Sequence, residues 1–210
     1  MDLQNQNHQN IETGFIPPQL NHGGHEMFDV HEVLAGAICT LDNYTLLSSQ
    51  VQDPELRDIL QRQKQFMTEE YNITLECFKT GQDPSKPTQS YKMTQGNDFV
   101  YGMKPSQPKM PMQSAAGVND QVISLSMLNS LKLGAVMKTN AALESTNPVV
   151  RRVLADSLPN CIEMAYEVSL YQNKKGFYQV PQLPQQDMQQ MLNSYGPAAI
   201  MPPVSGNLSH

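Results

Sequence analysis

The feature that most constrains this chain is a repeat. Set "SSQVQDPELRDIL" (48–60) beneath "ALESTNPVVRRVL" (142–154), and the steps Asp53-Pro54 and Asn147-Pro148 coincide. Leu56 then matches Val150, Arg57 matches Arg151, Ile59 matches Val153 and Leu60 matches Leu154. An Asx-Pro step starts a helix well. The Asx oxygen caps free N–H groups, and proline takes the first helical position, where its missing N–H costs nothing. Upstream of the first step, Val30, Val33, Leu34, Ala37, Ile38 and Leu41 fall at helical spacing, with Asp29 as the expected N-cap. Each half therefore reads as a helix, a short turn and a second helix ending near glycine, at Gly81 and at Gly176. Two such hairpins joined by a long crossover predict an all-α, ferritin-like four-helix bundle. A helix of about 24 residues is ~36 Å long, enough for a substantial core.

The expected boundaries follow. Residues 1–28 are rich in Asn, Gln, His and Gly and read as a flexible segment. Residues 29–176 form the bundle: hairpin one at 29–81, crossover at 82–117 and hairpin two at 118–176. The crossover carries five prolines and no sustained periodicity, so it is expected to lie over the surface. Residues 177–210 begin with a clasp at the helix end. Gly176 is suited to a left-handed residue, Lys174 and Lys175 to the negative end of the helix dipole, and Phe177 with Tyr178 to folding back on the last turn. Beyond Pro181 the tail is Gln- and Pro-rich and flexible.

Core lines can be drawn on two helices. In the fourth they run through Val150, Leu154, Ser157, Cys161, Met164, Val168 and Tyr171. In the second they run through Leu56, Leu60, Gln63, Met67, Glu70, Thr74 and Cys77. Pro159 interrupts the fourth helix, so a kink is expected there, because proline removes a backbone bond and clashes with the carbonyl of Ala155. Cys39, Cys77 and Cys161 form no CxxC pattern and read as small buried apolar groups.

Composition excludes several functions. A net charge of −6 without a basic stripe argues against nucleic acid. No apolar run reaches the ~18 residues of a membrane span, and "MDLQNQNHQNIETGF" lacks the charged and apolar regions of a secretory signal.

A ferritin-like bundle invites a di-metal site, which needs a Glu on each of two helices and Glu-x-x-His on each of the others. Glu69 and Glu70 are followed three residues on by Asn72 and Ile73, and Glu163 and Glu167 by Tyr166 and Leu170. His31 and Glu32 lie near the start of the first helix, and His8, His22, His25 and His210 lie outside the bundle's middle. The ligand count fails. The segment "HGGHEMFDVHE" gathers His22, His25 and His31 and admits a transition metal, but a solvated segment is the simpler reading. Glu70 reads either as a residue at the edge of the stripe or as a partner of Tyr44. No catalytic, cofactor-binding or metal-ligating residue is assigned and no cofactor is expected; the familiar hydrolase, phosphate-loop and Cys–His patterns are missing. The alternative is a bundle holding a metal ion or small apolar ligand between helices two and four, with Gln63 and Glu70 facing a cavity lined by Met67, Cys161 and Met164. An oxidoreductase ranks last.

The motifs "DPELRDIL" (53–60), "NPVVRRVL" (147–154) and "GFYQVPQ" (176–182) resemble those of the spore coat protein F family of endospore-forming bacteria. The resemblance covers about 27–81 and 118–182 and is strongest in the second half. "FKTGQDP" lacks the aromatic pair, so the first half looks like a diverged copy. The resemblance implies a ferritin-like helical fold and a non-catalytic structural or assembly role in the spore coat or developing spore. It implies partners that are other coat proteins or further copies of the chain, with synthesis in the cytoplasm. The tail is either inert or suited to contact and covalent cross-linking through Gln, Lys or Tyr, with Gln185, Gln186, Gln189, Gln190, Tyr195, Tyr91 and Tyr101 as candidates.

Overall fold

The computed structural model describes residues 16–94, 96 and 98–199 and is all-helical. Four long helices, α1 (Gly24–Ser48), α2 (Pro54–Thr80), α3 (Asp120–Glu144) and α4 (Pro148–Lys174), are followed by a short α5 (Gln185–Leu192). Among the described residues the single β feature is an isolated parallel bridge between Tyr101 and Val180.

The repeat sets the architecture. Asp53 accepts the Glu55 N–H at 2.9 Å, Asn147 accepts those of Val149 and Val150 at 2.9 and 3.2 Å, and a proline follows each cap. The long helices pack as a ring in the order α1, α2, α4, α3. Glu26 near the start of α1 meets Thr146 beyond the end of α3, and Asp53 at the start of α2 meets Lys175 at the end of α4. Neighbours in the ring are therefore antiparallel, and the crossover must travel the full length of the helices.

All seven residues of the α4 line are buried. On α2 the line holds except at Met67 and Glu70, which are half-buried. On α1 the line misses at Ile38, which is exposed, and Tyr44 extends it instead. The core falls into two clusters. One, around Leu60, Met127, Met164 and Tyr171, lies toward the Asp53 turn; the other, around Val30, Ile73, Val150 and Leu154, lies toward the Asn147 turn. Between them sits a layer containing Glu70, Lys138 and Cys161.

Several expectations need correction. α1 starts at Gly24, five residues before Asp29. His22 Nδ1 and Glu26 bond one turn apart, and Glu26 also accepts from the α3–α4 turn, which ties the start of the helix down. Residues 18–20 form a turn whose Pro18 carbonyl lies against Gly81. α5 lies within the tail expected to be flexible, beginning after Pro184 with Asp187 in its first turn. Residues 1–15 and 200–210 of those two segments, with His8 and His210, lie outside the described residues. Cys39 is exposed, whereas Cys77 and Cys161 are buried. Pro159 lies inside α4, which runs unbroken from Pro148 to Lys174; that continuity is common to a kinked and a straight helix and leaves the kink an expectation.

At the clasp, Gly176 has φ of 73°. Phe177 N–H reaches the Gln172 carbonyl at 2.8 Å and Gly176 N–H the Asn173 carbonyl at 3.0 Å, the pattern of a Schellman ending. Phe177 then packs edge-on to Tyr171, while Tyr178 stays exposed.

Candidate functional site

The crossover is a strap bound between α2 and α4, and a network of polar residues on those helices binds it. Glu167 is fully buried on α4. It accepts from Arg62 at 2.8 Å, Gln63 Nε2 at 3.0 Å, the Tyr91 hydroxyl at 2.5 Å and the Thr94 N–H at 3.2 Å. Arg62 also donates to the Tyr91 hydroxyl, and Tyr44 donates to Gln63. Asn160 accepts the Tyr91 N–H and donates to the Gln89 carbonyl, so both faces of its amide hold the strap. Further along, Val100 is clamped by Asn173, with bonds of 2.7 and 3.0 Å. Burial, with Glu167 beside it, pushes the Tyr91 hydroxyl well above its ordinary range, so it stays a donor at any physiological pH.

Between the two core clusters Lys138 of α3 pairs with Glu70 of α2, and Asn160 bonds the other oxygen of Glu70 at 3.0 Å. Burial works against the Lys138 ammonium, but Glu70 outweighs it and holds the lysine charged. Burial raises the Cys161 thiol beside it and pushes the Cys77 thiol up to about 11, so both stay protonated and weakly nucleophilic. A cavity of about 70 Å³ adjoins this layer, lined by Met67, Glu70, Lys138, Cys161 and Met164 together with residues of α1.

A second fully buried carboxylate closes one end. Glu26 accepts from the N–H groups of Thr146 and Asn147 at 2.8 and 3.0 Å, from the Thr146 hydroxyl at 2.9 Å and pairs with His22 at 2.7 Å. Burial alone would raise its pKa, but the bonds from His22, Asn147 and Thr146 hold it below the ordinary value. Among the described residues, His22 Nε2 is the one buried side-chain polar atom without a hydrogen-bond partner.

A carboxylate surrounded by donors has no lone pair to offer an ion or a substrate. The structure does not bring together the residues that a metal needs: His25 and His31 are exposed, His22 is turned to Glu26, and Glu69 is exposed. Among the described residues no three His, Cys, Asp or Glu side chains cluster closely enough to hold a metal. Glu70 binds Lys138 and Asn160 rather than Tyr44, whose partner is Gln63. The expected cavity exists with Met67, Glu70, Cys161 and Met164 on its wall, but Gln63 belongs to the strap network instead. Tyr91 is buried, which removes it from the cross-linking candidates; Tyr101, Tyr195, Gln185, Gln186, Gln189 and Gln190 are exposed.

Sequence reasoning missed Lys138, Arg62 and Glu26. Lys138 had a usable signal. It stands on the apolar line of Ile123, Met127, Leu131 and Ala141, where a lone ammonium requires a carboxylate on a facing helix.

The fold and site define an all-helical protein of two tied hairpins, with hydrogen-bonded interior carboxylates and a strap locked across one face. The Coat F domain family model matches residues 119–181, which is hairpin two with its clasp. Across 211 aligned residues the chain is 53% identical to the spore coat protein F-like protein YhcQ of Bacillus subtilis (strain 168), covering 99% of this chain and 97% of that one. The chain belongs to the spore coat protein F family. No solved structure matches it significantly. The family model begins and ends with the second hairpin. No described helix is long and apolar enough to cross a membrane.

Proposed function

We propose that this chain is a non-catalytic structural protein of the bacterial spore coat, a ferritin-like four-helix bundle whose work is assembly. The observation that carries the reading is that each of its interior carboxylates is bound to structural partners. Glu167 has four donors, Glu70 a lysine and an amide, and Glu26 a histidine and a turn. Polar groups engaged in this way hold the strap, the turns and the helices in place, which is structural work. The protein is made in the cytoplasm and incorporated in the coat or developing spore. Its partners there are other coat proteins or further copies of itself, joined in part by cross-links through the exposed tail glutamines, Tyr101 or Tyr195.

A fluorescent fusion followed through sporulation tests the role. Signal confined to sporulating cells and retained on purified spores is the expected result. Equal abundance in vegetative cytoplasm, with none in spores, would falsify it.

The cavity beside Glu70 and Lys138 supports a second, narrower reading, a bundle that holds a small apolar ligand. Its volume of about 70 Å³ is near half that of an engineered cavity known to take benzene, so a ligand of a few heavy atoms is the upper limit. A thermal-shift screen with xenon and small alcohols tests it, and the absence of any shift removes it.

A further inference from the structure

The tail carries a helix with no seat, and the second hairpin carries a seat with no helix. On α5, Met188, Met191 and Leu192 fall at i, i+3 and i+4 and make one apolar side of a two-turn helix. None of its residues is buried; Leu192 is 73% exposed. The segment before it is anchored to the strap. Gly102 N–H donates to the Val180 carbonyl at 2.8 Å, and Gln179 Nε2 donates to the Lys104 carbonyl at 3.0 Å. Only Pro181–Pro184 separate that anchor from α5, and a connector so short and proline-rich is stiff.

Between α3 and α4 a surface groove of about 450 Å³ is lined by Ala135, Val136, Ile162, Ala165 and Tyr166. Val136 and Ile162 are 57% and 59% exposed, apolar positions left without cover. The alanines leave room for a helix backbone to come close, the geometry of helix-in-groove recognition. Lengths agree as well. On α4 the groove runs from Cys161 to Ser169, and at 1.5 Å per residue that stretch and α5 are each ~12 Å long. Charges also agree, since Lys132 is the one charged residue lining the groove and Asp187 the one charged residue of α5.

We propose that α5 of one copy of this chain docks in the α3–α4 groove of a second copy. Met188, Met191 and Leu192 lie against Val136, Ile162 and Ala165, with Asp187 beside Lys132. The surface given and the surface received differ, so the contact is heterologous and passes from copy to copy. The inference rests on the assembly role proposed above and gives that role a partner. One two-turn helix buries less than ~800 Å² in total, so each contact is weak and the array depends on many of them.

Sedimentation velocity on the purified full-length chain, from micromolar to millimolar concentration, tests it. The sedimentation coefficient is expected to rise with concentration. Leu192→Asp disables the helix and Ile162→Asp disables the groove. Both positions are exposed, so helical content by circular dichroism stays unchanged, while self-association of each variant weakens about tenfold or more. An equimolar mixture of the two regains association but stops at pairs, because only one intact helix and one intact groove can meet. Lys132→Glu weakens association, and Asp187→Lys added in the same chain restores it. A wild-type chain that stays monomeric throughout overturns the proposal, as does a mixture that behaves like either variant alone. It is also overturned if Leu192→Asp speeds hydrogen exchange around Ile162 in dilute monomer, which places α5 in its own groove. None of these outcomes depends on where the protein goes in the spore, so each is distinguishable from failure of the coat role.

Discussion

At one end of the molecule Asp53 caps α2, and Asp120 of α3 accepts the N–H groups of Gln52 and Asp53 at 2.9 and 3.0 Å. At the other end Asn147 caps α4, and Glu26 of α1 accepts those of Thr146 and Asn147. Each hairpin thus lends the other a carboxylate that ties its turn, and each capping side chain also reaches the far end of the opposite hairpin. Asp53 meets Lys175 and Tyr171, whereas Asn147 Nδ2 donates to the Gly81 carbonyl at 3.2 Å. The backbone solution is the same, but the surroundings are not. The Asp53 end stands in partial contact with water, so it uses charge. The Asn147 end is buried beneath residues 18–26, so it uses a neutral amide and surrounds its single carboxylate with donors. The repeat fixes where the helices begin, and burial decides which polar chemistry each beginning tolerates.

The largest break in that comparison is expected at the two borrowed carboxylates. Glu26→Ala leaves two backbone N–H groups and the His22 ring without partners in a buried place and should cost about 3–4 kcal/mol. Asp120→Ala frees N–H groups that water can reach and should cost about 1 kcal/mol. Urea unfolding reads both, as midpoint shifts at constant slope. The acid limb sharpens the contrast. The folded pKa of Glu26 lies below its ordinary 4.5. Its contribution is therefore complete above the unfolded value and is lost as pH falls toward the folded one. Glu26→Gln should flatten the fall in stability below about pH 5, relative to wild type. Equal losses from Glu26→Ala and Asp120→Ala would mean that burial does not separate the two ends.

The two helix-ending glycines come next. Both are left-handed, Gly81 at φ of 65° and Gly176 at 73°. A Cβ on Gly176 meets nothing within 4 Å, but one on Gly81 would stand 1.8 Å from the Pro18 carbonyl oxygen. Gly176→Ala should cost about 1 kcal/mol, the ordinary left-handed penalty. Gly81→Ala carries that penalty and must also displace residues 16–21, for a total of about 2–3 kcal/mol. Limited proteolysis separates the causes, since only Gly81→Ala should speed cleavage near Leu20. Equal costs and unchanged cleavage would show that the segment holds nothing.

Much of this was legible in the chain. The Asx-Pro steps and terminal glycines located the second, third and fourth long helices to within two residues, because caps and αL endings are local chemistry. The α4 core line held throughout because a helix buried along its length obeys its own period. What stayed hidden depends on partners distant in sequence. Glu26 lies 120 residues from Thr146, Arg62 lies 105 from Glu167, and Tyr91 lies 76 from Glu167. No local pattern marks those pairs, so Tyr91 read as a surface tyrosine and 22–28 as a solvated stretch. Gly81 shows the limit well. Its helix-ending role was plain, but the reason hairpin one lacks an aromatic clasp was not. The Pro18 turn lies against this glycine at the end that Phe177 covers on the other hairpin.

The smallest effect is also the most discriminating, because it exchanges the two caps. Asp53→Asn keeps a good N-cap, as Asn147 demonstrates in the other half, and loses the pairing with Lys175, while the Tyr171 hydroxyl that donated to Asp53 can turn to accept from the new amide. That lysine is a third exposed, so the loss should be no more than about 0.5 kcal/mol and should vanish in 1 M salt, where the screening length is ~3 Å. Asn147→Asp also keeps the cap, yet it places a second carboxylate in a buried turn already held by Glu26 and removes the donor to Gly81. Its cost should be about 2 kcal/mol at neutral pH and little changed by salt, since buried charges are poorly screened. It should shrink as the pH falls through the carboxylate range, when the new carboxyl takes up a proton and can donate again. Salt titration of one variant and pH titration of the other give opposite signatures from the same one-atom exchange. If both variants answered to salt and neither to pH, the Asn147 end would be as wet as the Asp53 end.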